Sequence, residues 1–268
     1  MESLTFSFNP NVWEEASFSD VDAPPSRFLF LQWHVLGAIA HNPNPLPTLQ
    51  SLTIDKWLAI PHSLYAETPF ARIVASLRHL RFMVDADDHD NADNEEPFLK
   101  FWCQVVERNV LQLAENLESL DMDSSLGFGR SFDFSLFSFP RLTALSLRRI
   151  IWGEGTAIGG PPLSGVENFV ARHGKTLRKF ELRNCAINVP KGRDTPVRCW
   201  AAVWNRFSNE LTELVNFAAD FKRSPRDRHE VQYVYYDFGF VPIYRIRGTE
   251  DDAPALAAFM ATIEARQR

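Results

Sequence analysis

The densest group of potential ligands in this sequence is an acidic run from Asp85 to Glu96, DADDHDNADNEE. It holds seven carboxylates and no lysine or arginine, and its acids at positions 1, 3, 9 and 12 match the frame of an EF-hand calcium loop. Position 6, where such a loop turns sharply on a glycine, is Asp90, and position 5 is His89, a poor ligand for calcium. We therefore expect a solvated acidic loop and no dedicated calcium site.

Three further motifs copy fragments of nucleotide-binding sites without their context. The residues His173 to Thr176 contain the Gly-Lys-Thr of a phosphate-binding loop, but Phe169 stands where that loop requires its first glycine. Such a loop also leads from a strand into a helix, whereas here a predicted helix ends before a strand begins. Asp237 to Gly239 matches a kinase tripeptide without companion motifs, and the glycines from Gly153 to Gly160 lack dinucleotide-binding spacing. We expect no nucleotide site.

Metal-binding and catalytic spacings are missing as well. The seven histidines form no H-x-x-x-H or H-E-x-x-H pair. No G-x-S-x-G elbow or Cys-His signature marks a nucleophile. The sequence therefore predicts a protein that is not an enzyme and has no catalytic residue, metal or cofactor.

A basic cluster raises the alternative of single-stranded nucleic acid, which arginine-rich loops beside aromatic strands can bind. Pro225, Asp227 and Glu230 interrupt this cluster, so a solvated loop is the favoured interpretation. Its members are Lys222, Arg223, Arg226, Arg228 and His229.

The overall charge gives no reason to expect a polyanionic partner. The net charge is −6, from 28 basic and 34 acidic residues. Without the seven carboxylates of the acidic run, 28 basic residues face 27 acidic ones, so the remainder is nearly neutral. Neither nucleic acid nor an anionic membrane surface is indicated as a partner.

Cysteine use and the N-terminus indicate a reducing compartment. The three cysteines form no Cys-x-x-Cys pair, and the chain has no Asn-x-Ser/Thr sequon. The first residues have neither a basic region nor an apolar stretch typical of a signal peptide, and no run of about 18 apolar residues follows. We expect a cytoplasmic or nuclear protein without a membrane segment.

An apolar triplet of the form L-x-x-L-x-L, or a near variant, occurs six times. Such a unit cannot bury its apolar side alone, so neighbouring copies are expected to stack into a parallel sheet. The spacings between first leucines are 28, 40, 25, 35 and 34 residues, which predicts an irregular array. The triplets are Leu49-Leu52-Ile54, Leu77-Leu80-Phe82, Leu117-Leu120-Met122, Leu142-Leu145-Leu147, Leu177-Phe180-Leu182 and a degraded Leu211-Leu214-Asn216.

Helix signals precede four of these triplets. Thr68 and Pro69 predict a helix start, and apolar spacing predicts a helix from about Pro97 to Leu113. Ser164 and Glu167 form a capping box ahead of a helix that ends near Gly174. Thr195 and Pro196 repeat the start signal, with Val197, Trp200, Val203, Trp204 and Phe207 on the apolar face. Alternating strands and helices predict parallel strands joined by right-handed crossovers.

The fold class predicted is therefore α/β, an irregular leucine-rich-repeat solenoid with a concave parallel sheet and convex helices. Residues 1–48 are expected to form an N-terminal cap, and residues 49–230 the repeats, with the acidic loop at 85–96. Residues 231–268 are expected to form a C-terminal cap of one or two strands, broken near Gly239 and Pro242, and a helix that starts at Asp251.

A repeat of this kind offers a recognition surface, because the x residues of each strand point away from the core. We predict that these residues bind a protein partner, with selectivity from charge complementarity. The residues predicted to contact it are Asp55, Arg81, Asp121, Asp123, Arg148, Glu181 and Arg183.

The chain from about Leu49 onward resembles the leucine-rich regions of fungal F-box-like proteins. The resemblance is carried by FPRLTALSLRRI (139–150), LRKFELRNCAI (177–187), GPPLSGVENFVARHGKTL (160–177) and DDAPALAAFMATIEARQR (251–268). It implies a substrate receptor whose F-box docks onto ubiquitin-ligase components. Residues 1–47 match no F-box, so this alternative requires a divergent or missing F-box.

Overall fold

The computed structural model describes residues 2–8, 27–42, 49–85, 95–124, 132–153, 165–222, 230–236, 240–244 and 246–268. The chain divides into two compact units, unit 1 from Met1 to Leu126 and unit 2 from Gly127 to Arg268. Both units have mixed α/β structure. Several predictions fall outside the described residues: the acidic loop at 86–94, Ser164 of the capping box, the glycines at 155–160, the basic cluster at 223–229 and the tripeptide at 237–239.

Unit 1 contains four parallel strands that pair in chain order. They are β1 (Ser3–Ser7), β2 (Ser51–Leu58), β3 (His79–Asp85) and β4 (Ser119–Ser124). Each crossover contains a helix, as parallel neighbours require. These helices are α1 (Arg27–Ala40), α2 (Thr68–Ser76) after a 3₁₀ turn (Ser63–Ala66), and α3 (Glu95–Lys100), which continues as a π-helix (Phe101–Leu111).

Unit 2 contains two sheets. Its elements in chain order are β5 (Ala144–Arg148), β6 (Ile151–Trp152), α4 (Val166–Arg172), β7 (Lys179–Arg183), β8 (Ala186–Asn188), α5 (Trp200–Glu210), β9 (Asn216–Asp220), β10 (Tyr233–Tyr236), β11 (Phe240–Ile243) and α6 (Asp252–Arg266). Strands β5, β7 and β9 are parallel neighbours. The second sheet has the order β11-β10-β8-β6, with only the β10–β11 pair antiparallel.

The predicted parallel alignment of the apolar triplets is confirmed for five of the six. In unit 1, Leu52, Leu80 and Leu120 are partners across three strands, and so are Ile54, Phe82 and Met122. In unit 2, Leu145 pairs with Phe180 and Leu147 with Leu182. All of these side chains are buried, at 5% exposure or less. The repeating pattern therefore sets the register of the strands, because a one-residue slip would expose the whole apolar set.

The sixth triplet was assigned in the wrong register. Phe217 pairs with Phe180 and Ala219 with Leu182, so the unit is Leu214-Phe217-Ala219, not Leu211-Leu214-Asn216. Leu211 belongs to the end of α5 and caps that helix. The two registers differ by three residues, and both place a leucine at the first position of the triplet. The spacing of apolar residues alone therefore does not distinguish them.

One hydrogen-bond pattern recurs where the parallel strands begin. The carbonyl of Gln50 accepts from the backbone N–H groups of both Arg78 and His79, at 2.8 and 2.9 Å. The Arg78 carbonyl accepts in the same way from Glu118 and Ser119. The same double acceptance is made by the carbonyls of Glu2, Thr143 and Arg178 toward the strand that follows each of them in the sheet. The strand starts are therefore held at fixed backbone positions.

The strands of unit 2 turn sharply at equivalent positions. Arg149 and Asn184 each lie two residues after the last apolar residue of a triplet, and their φ angles are 56° and 52°. A left-handed residue redirects the chain at a cost of roughly 1–2 kcal/mol for a non-glycine residue. Each turn leads directly into a strand of the second sheet, β6 or β8. In β2 the equivalent Lys56, with φ 54°, lies at a break in the strand register.

All of the predicted helices are present, several of them with different starts. Thr68 is the first helical residue and Glu67 the N-cap, so Thr68 is not the cap. The helix near Thr195 begins only at Trp200, which leaves Val197 59% exposed outside it. The predicted helix from Pro97 to Leu113 is observed as α3 and the π-helix together, ending at Leu111.

The N-cap of α4 is Gly165 and has no side-chain bond, so Glu167 does not complete a capping box. The Glu167 carboxylate instead accepts two hydrogen bonds from Arg198, at 2.6 and 3.0 Å. It also accepts one from Arg206 at 3.1 Å. Glu167 therefore links α4 to α5 and to the segment that precedes α5. Residue spacing in the sequence does not reveal such a contact between elements.

The two ends of the chain differ from the pattern in instructive ways. Strand β1 and helix α1 were not predicted as such, although β1 adds Leu4 and Phe6 to the apolar rows of β2. One or two C-terminal strands were predicted and two are observed, with Pro242 on the edge strand β11, where a missing N–H is tolerated. We expected these strands to cover the edge of the last repeat, whose strand is β9. Strand β10 instead pairs with β8 in the second sheet. Helix α6 contacts β9 instead, through an edge-to-face contact between Phe259 and Phe217 with ring centroids 4.9 Å apart.

A buried polar network joins α1 to the end of β2. The Gln32 side chain is fully buried, accepts from Leu58 N–H at 2.8 Å and donates to the Tyr65 hydroxyl at 3.0 Å. The same hydroxyl accepts from Trp57 Nε1 at 3.1 Å, and burial raises the pKa of Tyr65 to about 12. Every polar atom in this small group has a partner, which makes its burial tolerable.

In unit 2, Asp252 performs a comparable role for α5. Its carboxylate accepts from Ala201 N–H at 2.7 Å and from the Tyr233 hydroxyl, which in turn accepts from Trp200 N–H at 3.1 Å. Two N–H groups of the first turn of α5 are thereby satisfied by residues from β10 and α6. Burial and the Asp252 carboxylate raise the pKa of Tyr233.

His173 connects α4 to the segment that precedes β5. Its Nε2 accepts from Phe139 N–H at 3.1 Å, so Nδ1 carries the proton and donates to the Phe169 carbonyl at 2.7 Å. The ring lies among Phe139 and Phe169, and burial lowers the pKa of His173 below 6.5. A protonated ring could not accept from Phe139 N–H.

Gly174 follows α4, as predicted, but its φ is not left-handed and its importance is steric. A Cβ at this position would lie 2.1 Å from the Glu210 carbonyl oxygen. We predict that Gly174→Ala destabilises the protein by roughly 1–3 kcal/mol, because backbone cannot move aside cheaply. Chemical denaturation measures the change.

Gly37 in α1 supplies a matched control, since its added Cβ would meet only Leu64 methyls at 3.8 and 4.0 Å. Gly37→Ala should be neutral or stabilising by up to about 1 kcal/mol, from helix propensity. Equal effects of the two substitutions would contradict the close approach at Gly174.

The buried imidazole predicts a pH dependence of stability. The folded-state pKa of His173 is lower than its unfolded value, so its contribution is complete above about pH 6.5 and is lost as the pH falls through the lowered pKa. Denaturant unfolding at a series of pH values should show stability falling with acidification across that window.

In His173→Gln, this part of the pH dependence should disappear, while any contribution from carboxylates remains. An unchanged slope between the variant and the parent would show that His173 is not the group responsible.

Candidate functional site

The predicted recognition residues lie on the strand face opposite the buried triplets, within two separate groups. We call these the unit 1 strand face, made by Thr53, Asp55, Arg81, Asp121 and Asp123, and the unit 2 strand face, made by Ser146, Arg148, Glu181, Arg183 and Asp220. Nine of them directly follow a buried apolar residue in their strands, and Asp220 follows Ala219, which is half-buried. Every predicted residue is therefore on the expected face, half-buried or exposed.

In the unit 1 strand face, Arg81 is central. It is the cross-strand partner of Thr53 on one side and of Asp121 on the other. Its Nε lies 3.6 Å from Asp121 Oδ2, and its side chain is 55% exposed. Asp123 lies one row further along β4, opposite Met83, and Asp55 lies on β2 opposite Ser7. The face carries three carboxylates and one guanidinium, so it is acidic.

In the unit 2 strand face, Arg148 and Arg183 are direct cross-strand partners. Arg183 is next to Asp220 on β9, and its guanidinium forms an ion pair with Glu181 of its own strand. Arg148 Nε lies 3.4 Å from Ser146 Oγ. This row is the most basic part of the face, because it places two arginines side by side. Like charges placed opposite each other repel unless a partner neutralises them.

Sequence reasoning missed three members of these faces. Thr53 and Ser146 occupy the same position within their triplets as Arg81 and Glu181, but only charged residues were chosen. Asp220 is at the position of Arg148 and Arg183, and it was missed because the sixth triplet was placed in the wrong register. Reading that triplet from Leu214 would have found it.

Acidic side chains, thiols and histidines are the groups in the described residues that could support chemistry other than recognition. Among them, no group of three or more His, Cys, Asp or Glu side chains could hold a metal ion. Burial, with Glu107 nearby, raises the pKa of the Cys103 thiol, which makes that thiol less nucleophilic at neutral pH. The histidine that is most buried, His173, uses both ring nitrogens in backbone hydrogen bonds.

None of the helices in the described part of the chain is long and apolar enough to cross a bilayer.

Comparison with known proteins gives no family assignment. A scan against models of protein families, a search of curated proteins and a search of solved structures each found no match.

The ion pair between Arg81 and Asp121 is exposed enough to be weak. A double-mutant cycle with Arg81→Ala and Asp121→Ala should give a coupling energy of about 0.2–1 kcal/mol, measured by denaturant unfolding. The coupling should fall further in 1 M salt, because exposed pairs are screened. A coupling above about 2 kcal/mol, far beyond that of exposed pairs, would mean that the pair holds the fold together and is not available for a partner.

Proposed function

We propose that this protein is an irregular leucine-rich-repeat module that binds a protein partner through its two strand faces. The observation that carries the proposal is the row of charged side chains at successive parallel strands, alternating with a buried apolar ladder. Such a surface has side chains at fixed spacing on a rigid support, as the extended binding surfaces of repeat proteins do.

The repeat assignment is supported by a detail beyond the triplets. In a leucine-rich repeat, the third residue after the last apolar position is often Asn or Cys. In the Leu177 triplet this residue is Cys185, whose thiol is fully buried and donates to the Leu147 carbonyl of the neighbouring strand at 3.3 Å. A buried donor at this position joins adjacent repeats after their strands have ended.

The charges on the two faces support selective binding. The unit 1 strand face is acidic, and the centre of the unit 2 strand face is the Arg148–Arg183 pair. A partner with complementary charges would be attracted to each face, and a partner with the opposite pattern would be repelled. Arg183 is 54% exposed even with its ion pair, so it remains accessible to a partner.

The proposal includes a non-enzymatic role in the cytoplasm or nucleus. Three free cysteines, one of them buried, suit a reducing compartment. The substrate-receptor alternative rests on the resemblance to fungal F-box-like proteins and stays a prediction, which co-purification with a Skp-type adaptor would support.

Charge reversal at the centre of the unit 2 strand face tests the proposal. The chain carrying Arg148→Glu and Arg183→Glu should lose its specific partner in affinity capture from native cells. Binding of that partner, once identified, should weaken by about tenfold or more, because like-charge contacts across an interface cost several kcal/mol.

The matched control is Arg193→Glu with Arg247→Glu, which makes the same charge change at two exposed residues outside both strand faces. The control should capture the same proteins as the parent chain. An identical captured set for all three chains would reject the strand faces as the binding site.

A further inference from the structure

A second charged surface of unit 2 lies at the edge where its strands begin. A groove of about 400 Å³ is lined there by Arg141, Thr143, Lys175, Thr176, Arg178 and Glu213. We call it the entry groove. These residues come from the segments that lead into β5, β7 and β9, and none of them belongs to the strand faces.

The walls of the entry groove are fixed by the backbone. The Thr143 carbonyl accepts from Arg178 and Lys179 N–H, and the Arg178 carbonyl accepts from Val215 and Asn216 N–H. The Gly174 carbonyl accepts from Glu213 N–H at 3.3 Å, so the turn that carries Lys175 is joined to the opposite wall. The positions from which the side chains extend are therefore set before any ligand arrives.

The charge of the entry groove is uncompensated. Arg141, Lys175 and Arg178 supply three positive charges and Glu213 one negative charge, a net charge of +2. Among the residues that the structure describes, none of these three cations has an ion pair or a side-chain hydrogen bond. All three are exposed.

In unit 1, the arginine at the position equivalent to Arg178 is neutralised by an acidic residue. Arg78 follows Leu77 as Arg178 follows Leu177, and the residue at the same position of the next strand is Glu118. Arg78 Nη1 and Glu118 Oε1 form an ion pair at 3.3 Å. Around Arg178 the equivalent residues are Thr143 and Val215, which cannot neutralise it. The entry groove therefore keeps a charge that the other unit cancels.

We propose that the entry groove binds a phosphate monoester. A phosphate monoester carries a charge of about −1.5 to −2 at neutral pH, which matches the net charge of the groove. Its three terminal oxygens can meet cations from several directions, and two of the cations are arginines, whose planar guanidinium groups bind phosphate through paired hydrogen bonds. A single carboxylate would neutralise half of the charge.

This site is not a nucleotide-binding loop. Lys175 and Thr176 belong to the Gly-Lys-Thr sequence, but the phosphate would be held by cationic side chains of the two segments that lead into β5 and β7, and not by the N-terminus of a helix. The Thr176 hydroxyl donates to the His173 carbonyl at 3.2 Å, which leaves its oxygen free only to accept. The cations therefore carry the recognition.

The phosphate can be part of a modified protein or of a small molecule, and two probes separate these sources. Isothermal titration calorimetry at constant ionic strength would compare inorganic phosphate with a glycine-flanked phosphoserine peptide, and the unphosphorylated peptide should not bind. Tighter binding of the phosphopeptide identifies a phosphorylated protein segment as the ligand. Equal affinities identify the phosphate group alone as the ligand.

Substitution of Lys175→Ala together with Arg178→Ala should weaken phosphate binding at least tenfold, because two charge-assisted hydrogen-bond donors are lost. Arg141→Ala should weaken it as a single change and serves as a second, independent variant. The matched control is Arg78→Ala, which removes the corresponding arginine of unit 1 and should leave binding unchanged. Unfolding curves on each variant confirm that it is folded.

The proposal is overturned if neither probe binds saturably, or if Arg78→Ala weakens binding as much as the groove variants. Arg148 and Arg183 are intact in all of these variants, so the outcome is independent of partner binding through the strand faces.

Discussion

The structure depends on one constraint, the fixed register between successive parallel strands. Two interactions impose it together. Each triplet begins with a leucine at 1% exposure or less, and after Leu49, Leu77, Leu142 and Leu177 the carbonyl of the next residue accepts two consecutive N–H groups from the neighbouring strand. The buried leucine sets which side of the strand faces the core, and the double hydrogen bond sets where the strand starts. Because a slip of one residue would move every apolar side chain to the polar face, intermediate registers are strongly disfavoured.

This constraint also fixes which side chains are neighbours on the two strand faces. When the register is fixed, each x residue has a known neighbour, and a charge on one strand is read against the charges beside it. The pairing of Arg148 with Arg183, and of Arg81 with Asp121, follows directly from the alignment of their leucines. The same comparison between equivalent positions distinguishes Arg78, which faces Glu118, from Arg178, which faces Thr143 and Val215 at those positions.

The sequence was sufficient to predict what depends on local periodicity. Five triplets, their parallel arrangement and the presence of four helices, though not the residues at which these helices start, were predicted correctly, because buried leucines at fixed spacing have few alternative placements. The sixth triplet was misplaced, since Leu211 and Leu214 both fit the first position and only pairing with β7 decides between them. Residues that act across the chain were not predicted: Gln32 supports β2 from α1, and Glu167 binds arginines of a later segment. Such partners depend on tertiary contacts and leave no periodic signal.

The role of Asp252 has a consequence for how the chain matures during translation. The first turn of α5 receives a hydrogen-bond acceptor that is 51 residues further along the chain. While this part of the protein is still emerging from the ribosome, Ala201 N–H and the Tyr233 hydroxyl have no such acceptor, and the tryptophans of α5 have no α6 against which to pack. Unit 2 therefore completes its folding only after α6 has left the exit tunnel. Until then its aromatic core is the part of the nascent protein that a chaperone would have to shield.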